Sequence, residues 1–345
     1  LSMTFTLLMT CVGGELSPQI INYIKSSERH DIRVVGVDAS SEATGRHFVD
    51  VFSIVPNGTD PGYVDAIAEL SRLHDVNMIL PTSDEEALAL SAARSQLETS
   101  DCVLACSSSE VLQTVSNKAE CYRKLEALGI QGPAWKEVND IDTLATTAAE
   151  FVANCGDIVV KPATERGGRG VSVVRGDITG AIPYAGGREV HMDHATFQSK
   201  YLQSYTEDFP VIVMERLVEP VYDIDMLAFE GKPIRVVPRR RVDSALPNEG
   251  HQIVDNQDLI DLGRKIITGL DLSWLYDCDV MYDGAGKPIV LEINPRPSGS
   301  VSVCIAAGVP LIDDLISIAT GGNIPEIDIP AGRMVIPYKA LAQIN

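Results

Sequence analysis

The chain has 345 residues, 45% of them hydrophobic and 22% charged, which is a globular composition with room for two or three domains, since single cores tend to split beyond about 250 residues. Forty-eight acidic side chains outweigh 28 basic ones, and the formal charge of -20 disfavours nucleic acid and anionic membranes as partners. Its seven cysteines form no C-x-x-C pair, and the sequence shows neither an 18-residue apolar run nor a signal peptide, so we expect free thiols in a cytoplasmic protein.

Residues 1–115 predict one α/β domain. An apolar strand over 4–10 is followed by a glycine turn, a helix, and a second strand that ends at Asp38. This order is typical of a dinucleotide-binding unit, but G-G-E-L-S replaces the full G-x-G-x-x-G fingerprint. An NAD oxidoreductase is therefore kept as an alternative, and a glycine turn that serves packing or another ligand is the other interpretation.

A helix is predicted over 84–97 in the same domain. Ser83 and Glu86 have the spacing of a capping box at its start. Asp84 and Glu85 fall in the first turn, where negative charge favours the helix dipole, so we interpret them as structural acids.

The middle of the chain combines lysines with glycines. Lys118 opens a predicted helix, where acids are preferred, so we expect a compensating anion near it. Lys161 lies in an apolar strand, and a hairpin loop containing Gly167, Gly168 and Gly170 follows. No helix follows that loop, which excludes both a Walker P-loop and a Rossmann turn. The backbone N–H groups of the loop are predicted to hold an anion themselves.

Further strands follow the glycine loop. His191 and His194 are interpreted as surface residues of a loop or helix. A strand over 211–215 ends in charged residues and could offer backbone N–H and C=O groups to a purine edge. Arg239 and Arg241 alternate along another strand, share one face, and are predicted to bind an anion.

A hairpin is predicted between two apolar runs joined by the D-G-A-G turn at 283–286. Pairing across this turn places Asp279 roughly opposite Glu292, with Asn294 on the same face as Glu292. Paired carboxylates repel unless a cation lies between them, and hard oxygen ligands suit Mg²⁺. The hairpin is therefore predicted to be a magnesium site, with Arg296 delivered beside it between two prolines.

Six motifs occur in a fixed order: N-K at 117–118, V-V-K-P at 159–162, T-E-R-G-G-R-G at 164–170, M-E-R-L at 214–217, Asp279, and E-I-N-P-R-P-S-G-S at 292–300. Together they resemble the ATP-grasp superfamily, specifically members similar to the carbamoyl phosphate synthetase large subunit and to biotin carboxylase. The resemblance covers about residues 116–320.

The resemblance implies an α/β fold that is α+β in the grasp part. Four regions are expected in chain order: a Rossmann-like preATP-grasp domain at 1–115, a lid subdomain with the glycine-rich loop at 116–214, a C-terminal ATP-grasp subdomain with the metal site at 215–322, and a tail at 323–345.

The resemblance also implies roles for individual residues, with ATP as nucleotide and Mg²⁺ as metal, Mn²⁺ being the alternative. The expected ATP-binding residues are Lys118, Lys161, Gly167, Gly168, Gly170, Glu215, Arg216, Leu217, Val218 and Glu219. The expected metal ligands are Asp279, Glu292 and Asn294. The expected catalytic residues are Arg296, Lys161 and Arg241. Val221 stands where relatives often carry the ribose-binding Glu, which leaves Glu219 or Asp223 for the ribose.

The implied activity is an ADP-forming carboxylate–amine ligase that works through an acylphosphate. Its partners would be a small carboxylate and a small amine, and a homodimer is compatible with the resemblance. The alternative is an ATP-binding accessory or sensor protein of the same fold without ligase activity. The sequence names neither substrate.

Overall fold

The computed structural model describes residues 4–164, 170–184 and 189–343. Its first sheet is parallel, with the strand order β3-β2-β1-β4-β5. The strands are β1 (Phe5–Met9), β2 (Ile32–Asp38), β3 (Val51–Ile54), β4 (Met78–Leu80) and β5 (Val103–Leu104). The helices are α1 (Ser17–Lys25), α2 (Tyr63–Leu73), α3 (Asp84–Ala92), α4 (Arg94–Leu97) and α5 (Ser109–Ser116). The strand order reverses between β1 and β4, and open α/β sheets bind ligands at such a point.

The glycine turn after β1 packs against the end of β2. The backbone N–H of Gly13 donates to Asp38 Oδ2 at 2.7 Å, and that of Ser40 donates to Asp38 Oδ1 at 2.8 Å. A Cβ on Gly13 would lie 2.9 Å from the same carboxylate. Both oxygens of Asp38 therefore serve the local backbone, which favours a packing role for this turn over dinucleotide binding.

The helix predicted over 84–97 differs from the structure in two respects, its N-terminal cap and its continuity. Ser83 precedes α3, but its hydroxyl donates to the Glu86 carboxylate at 2.7 Å instead of capping the backbone. The predicted helix over 84–97 is divided at Ala93 into α3 and α4. Local side-chain chemistry competes with the expected cap in the first case because the buried Glu86 needs donors.

The second sheet has the order β6-β11-β7-β8-β10-β9. Its strands are β6 (Trp135–Val138), β7 (Ile158–Pro162), β8 (Val171–Val174), β9 (Ala181–Tyr184), β10 (Glu189–Met192) and β11 (Val211–Glu215). The helices are α6 (Lys118–Ala127), α7 (Ile141–Cys155) and α8 (His194–Thr196), the last followed by short helical turns at Phe197–Tyr201 and Leu202–Glu207. β7 and β8 pair antiparallel, as the predicted hairpin requires. Gly167 and Gly168, in the loop that joins them, lie outside the described residues.

The third sheet is antiparallel, with the order β16-β15-β12-β13-β14-β17. Its strands are β12 (Val218–Phe229), β13 (Lys232–Arg241), β14 (His251–Ile253), β15 (Trp274–Tyr282), β16 (Pro288–Asn294) and β17 (Met334–Val335). The helices are α9 (Gln257–Leu270), α10 (Ser302–Ala306) and α11 (Leu311–Thr320). The terminal segment 323–345 thus contributes β17 to this sheet.

Strand alternation gives the third sheet two different faces. Ile224 and Met226 of β12 point into the core shared with α9, whose Ile266 is fully buried. The intervening Asp223 and Asp225 point to the opposite face, where they are 1% and 0% exposed. Successive residues of a strand face opposite sides, so one strand supplies both an apolar core and a row of acids.

The N-terminal unit packs onto the third sheet through a buried ion pair. Asp314 of α11 is fully buried and accepts from Arg29 Nη1 at 2.6 Å and from Arg235 Nε at 2.9 Å. Ser107, after β5, donates its N–H to the Tyr276 hydroxyl at 2.9 Å. Across the described ranges, no helix has the combined length and apolarity needed to cross a membrane.

Candidate functional site

A cleft of about 400 Å³ lies between the second and third sheets. One part of its wall is apolar and is formed by Val159, Val171, Val173, Met214, Leu217, Met281 and Leu291. The charged part, as far as the described residues show it, consists of Lys118, Lys161, Arg216, Arg241, Arg296, Glu189, Glu219, Asp223, Asp277, Asp279 and Glu292. Six carboxylates thus face five cationic side chains, and an anionic ligand would need additional positive charge.

Strand register builds the acidic floor of this cleft. β15 and β16 pair Asp279 with Glu292, as the sequence predicts, and Asp277 with Asn294. β12 and β15 pair Asp223 with Asp279. Directly opposed residues of neighbouring strands stand side by side on one face. Four acids and an amide therefore converge within three adjacent strands.

Two lysines from the second sheet's side meet this floor. Lys118 is the first residue of α6, and its Nζ lies 3.4 Å from Glu292 Oε2, which supplies the expected anion. Lys161 of β7 is 8% exposed and donates to the Tyr122 hydroxyl at 3.4 Å. Burial and the neighbouring charge of Lys118 lower the pKa of Lys161 to about 8. Glu292, on the opposite wall, partly offsets that effect.

The two paired carboxylates differ in their electrostatics. Burial opposes the ionisation of Glu292, but Lys118 and Lys161 hold its pKa below the usual range. Burial, together with the carboxylates of Asp223 and Glu292, raises the pKa of Asp279 to about 7. Oδ1 of Asp279 is buried and has no hydrogen-bond partner among the described residues. A hard cation between these two side chains would satisfy that oxygen and relieve the repulsion.

Asn294 and Arg296 lie at the end of β16. The Asn294 Nδ2 donates to Asp277 Oδ2 at 3.2 Å, which directs the amide oxygen away from Asp277. Arg296 donates from Nη2 to that amide oxygen at 3.3 Å and from Nη1 to the Pro297 carbonyl at 3.2 Å. Its Nε donates to Asp84 Oδ1 at 2.9 Å, across the boundary with the N-terminal unit.

The predicted anion-binding pair on β13 is occupied by the protein's own carboxylates. Arg241 donates to both oxygens of Asp223, at 2.6 and 2.9 Å, and to Asp279 Oδ2 at 2.7 Å. Arg239 is fully buried and donates to Asp225 at 2.7 Å. The sequence analysis predicted that these arginines bind an external anion. It did not predict that Asp223 and Asp225 of the neighbouring strand β12 would be their partners.

The expected adenine segment is only partly in the cleft. Arg216, Leu217 and Glu219 line it. The carboxylate of Glu215 instead accepts from the Ala134 N–H at 2.7 Å, and Val218 is 56% exposed; neither side chain is part of the lining.

Asp223 and Glu219, the two candidates for binding the ribose, differ in their accessibility. Asp223 is 1% exposed and is held by Arg241 and by His251, whose Nε2 lies 2.8 Å from Asp223 Oδ2. Glu219 lines the cleft with its side chain 51% exposed. Of the two acids, Glu219 alone has a carboxylate accessible to a ligand.

Sequence reasoning missed three residues of the site, His191, Asp84 and Asp277, and considered Asp223 only for the ribose. His191 was expected on a surface, but it lies in β10, is 6% exposed, lines the cleft and stacks on Tyr184 with ring centroids 4.3 Å apart. Asp84 was interpreted as a helix-dipole acid, yet it contacts Arg296. Asp223 and Asp277 lie on the same face as Asp279, and strand alternation along D-C-D was the available signal for Asp277.

Gly170 is the loop glycine that the structure describes. Its φ is +69°, and a Cβ there would lie 3.1 Å from Cγ of Pro162. Both the backbone conformation and the close approach require glycine. This turn directly follows residues 165–169, which lie outside the described ranges, and it leads into β8.

Comparison with known proteins agrees with this architecture. Residues 207–344 match the family model described as ATP-grasp in the biosynthetic pathway with Ter operon, and residues 7–105 match the model described as PylC-like, N-terminal domain. These matches confirm the resemblance to the ATP-grasp superfamily and the α/β fold class that the motifs predicted. The ATP-grasp model matches the C-terminal part of the chain, and the PylC-like model matches its N-terminal part.

Individual relatives are distant. The chain is 25% identical over 247 residues to multifunctional protein ura1 of Schizosaccharomyces pombe, covering 66% of this chain and 10% of that protein. It is 29% identical over 197 residues to a formate-dependent phosphoribosylglycinamide formyltransferase of Burkholderia thailandensis, covering 55% of this chain and 45% of the relative. The chain thus spans less than half the length of each curated relative.

Among solved structures, the biotin carboxylase domain dimer of Hydrogenobacter thermophilus 2-oxoglutarate carboxylase, in complex with MgADP, ADP and bicarbonate, has a TM-score of 0.69 at 13% identity. The alignment covers 96% of this chain and 73% of that one. At this identity the likeness establishes the fold.

Proposed function

We propose that this chain is an ATP-dependent, ADP-forming ligase that joins a carboxylate to an amine. The observation that carries the proposal is the convergence of Lys118, Lys161, Asp279, Glu292 and Arg296 on one cleft, from two sheets and a helix start. The solved relative's complex with MgADP, in the same fold, supports a nucleotide as the ligand of this cleft.

The residues present fit a magnesium ion. Asp279 and Glu292 would hold it, with the amide oxygen of Asn294 beside them, because these are hard oxygen donors. Oδ1 of Asp279 is also buried and has no hydrogen-bond partner in the part of the chain that the structure describes. When bound, Mg²⁺ would neutralise phosphate charge and polarise the phosphoryl group. Among the described residues of the cleft lining, carboxylates outnumber cations, which is the physical reason for a metal cation here.

The cationic side chains divide into two groups. Lys118 and Lys161 lie next to Glu292 and would bind the phosphate oxygens of ATP. Arg296 lies beyond Asn294 and would face the carboxylate substrate and the acylphosphate made from it. Phosphoryl transfer depends on alignment and charge neutralisation more than on covalent help, so no protein nucleophile is required.

The proposed reaction needs no reactant besides ATP, the carboxylate and the amine. A carboxylate oxygen attacks the γ-phosphorus of ATP, the bond to the β–γ bridging oxygen breaks, and ADP leaves with that electron pair. The amine nitrogen then attacks the acyl carbon, phosphate departs, and the nitrogen gives its proton to solvent. The apolar wall formed by Met214, Leu217 and Met281 would hold the purine away from water.

Hydroxylamine makes the first half-reaction testable before the amine is known. The chain is incubated with ATP, Mg²⁺, hydroxylamine and one member of a panel of amino acids, peptides and organic acids. We expect ADP and the corresponding hydroxamate in equal amounts for at least one acid, and neither product when EDTA is added. ATP binding by calorimetry without ADP or hydroxamate from any acid would favour the sensor alternative.

A further inference from the structure

We propose that Asp84 is a positioning residue for Arg296, so that the N-terminal unit completes the catalytic site instead of only packing against it. This inference rests on the proposed function, because the role of Arg296 is part of that proposal. The two residues are 212 positions apart in sequence. Asp84 lies in the N-terminal unit, and Arg296 follows β16 of the third sheet.

The contact has the geometry of a charge-assisted hydrogen bond. Asp84 Oδ1 accepts from Arg296 Nε at 2.9 Å, with side-chain exposures of 14% for Asp84 and 20% for Arg296. The other contacts of the guanidinium with described residues are longer, at 3.2 Å to the Pro297 carbonyl, 3.3 Å to the Asn294 amide oxygen and 3.8 Å to the Asp277 carboxylate. The bond to Asp84 is therefore the strongest single restraint on the arginine within the described residues.

The position of the bond on the guanidinium matters. A carboxylate on Nε holds the inner edge of the fork and leaves the two Nη atoms to point elsewhere. Among the described contacts, Nη1 and Nη2 each donate once, to Pro297 and to Asn294. The second N–H of each Nη makes no hydrogen bond to a described residue, although Asp277 Oδ2 lies 3.8 Å from Nη1. These N–H groups would donate to a substrate carboxylate or acylphosphate.

Asp84 is itself held on a rigid element. It is the first residue of α3, and Ala87 and Leu90 on the next turns are fully buried. The buried Glu86 accepts hydrogen bonds from Thr10 at 2.6 Å and from Ser83 at 2.7 Å, which fixes the start of the helix to β1. A restraint on a long arginine side chain is useful only if its partner does not move.

A flexible arginine would lose much of its value in the site. An arginine side chain loses rotamer entropy when it is ordered. A displacement of about 1 Å of a positioned group can reduce a rate by about 10²-fold. Supplying the order beforehand, through a carboxylate from the N-terminal unit, keeps that cost out of the reaction.

The competing explanation is that Asp84 serves only the dipole of α3. Three acids occupy the first turn of that helix, where negative charge stabilises the helix dipole. The two explanations differ in one consequence. A dipole acid acts on stability alone, whereas a positioning residue acts on turnover through Arg296 and so cannot add to the loss of Arg296.

A double-mutant cycle with Asp84→Asn and Arg296→Lys tests this difference. We expect Asp84→Asn to lower kcat by about 10- to 100-fold with KM for ATP changed less than threefold, and to have no further effect once Arg296→Lys is present. The matched control is Glu110→Gln, which removes an exposed first-turn acid of α5 and should leave kcat unchanged. Equal fractional losses from Asp84→Asn in both backgrounds, or a wild-type kcat in Asp84→Asn, would overturn the proposal.

A second measurement does not depend on turnover. In ¹⁵N-labelled protein the Nε–H of Arg296, assigned by its loss in Arg296→Lys, should exchange slowly with water. Asp84→Asn should speed this exchange by at least tenfold, and Glu110→Gln should not. Unchanged exchange in Asp84→Asn would contradict the positioning role. If this result holds while the wild type makes no ADP from any acid, the ligase activity is wrong and the Asp84 contact stands.

Discussion

Glu292 is the side chain on which the proposed phosphoryl transfer depends most. It stands opposite Asp279 in the strand register and lies 3.4 Å from Lys118 Nζ. Glu292→Gln keeps the shape of the side chain but removes its charge, and with it one of the two carboxylates expected to hold Mg²⁺. Loss of a comparable transition-state contact costs about 2.7–4 kcal/mol, which is about 10²- to 10³-fold in rate.

The same substitution should leave the fold stable. Removing the charge takes a compensating anion from Lys118 and Lys161, which is unfavourable. It also removes a repulsive neighbour of Asp279, whose pKa of about 7 reflects burial and the carboxylates of Asp223 and Glu292. Because these effects oppose each other at a partly exposed site, we expect the free energy of unfolding to change by less than about 1 kcal/mol.

ADP formation and thermal unfolding are therefore measured on the same preparations. The matched control is Asp283→Asn, which removes a carboxylate from the turn of the same hairpin, outside the cleft lining. The Asn oxygen can still accept from Ala285 N and Lys287 N, both 2.9 Å away in the wild type. Turnover by Glu292→Gln within tenfold of the wild type, at an unchanged melting temperature, would refute the metal-site assignment.

Three further predictions concern charge, burial and backbone. Because the pKa of Lys161 is lowered to about 8, its positive charge is lost as pH rises through that value, so metal-free ADP affinity should fall between about pH 8 and pH 10; calorimetry should show a flatter profile in Lys161→Arg. Asp314→Ala leaves Arg235 buried without its carboxylate and should cost about 3–5 kcal/mol in urea unfolding, whereas the neighbouring Asp313→Ala should cost about 1 kcal/mol or less. Gly170→Ala forces a left-handed residue to carry a Cβ and should cost about 1–2 kcal/mol, read as a lower melting temperature; an unchanged value would show that the turn relaxes freely.

The same lysine has a separate consequence for stability. A basic group whose pKa is depressed in the folded state binds fewer protons there than in the unfolded chain between the two pKa values. The contribution of Lys161 to stability therefore becomes more favourable as the pH rises from about 8 to the ordinary pKa of a lysine, 10.5. Below that window its burial as a cation opposes folding in full.

Local patterns were enough to predict the metal hairpin. The D-G-A-G turn and the apolar runs predict the hairpin and bring Asp279 close to Glu292. Their direct pairing depends on a register shift between Asp279 and Val280, a β-bulge that the sequence pattern did not predict. The hairpin between β7 and β8 followed from the same reasoning. In the N-terminal unit, the predicted strand, glycine turn, helix and second strand correspond to β1, α1 and β2, whereas β3 was not predicted. The roles given to these residues remain predictions.

Contacts between segments distant in sequence could not be predicted from local sequence patterns. Nothing in the first turn of α3 distinguishes Asp84, which reaches Arg296, from Glu85, because a helix dipole accounts equally for both. Likewise, the sequence alone predicts that Arg241 binds an external anion. In the structure β12 pairs with β13, and Asp223 of β12 accepts a hydrogen bond from Arg241. Sequence periodicity determines which side of an element a residue occupies, but the partner on that side depends on how separate sheets and helices pack, and that is set by the whole core.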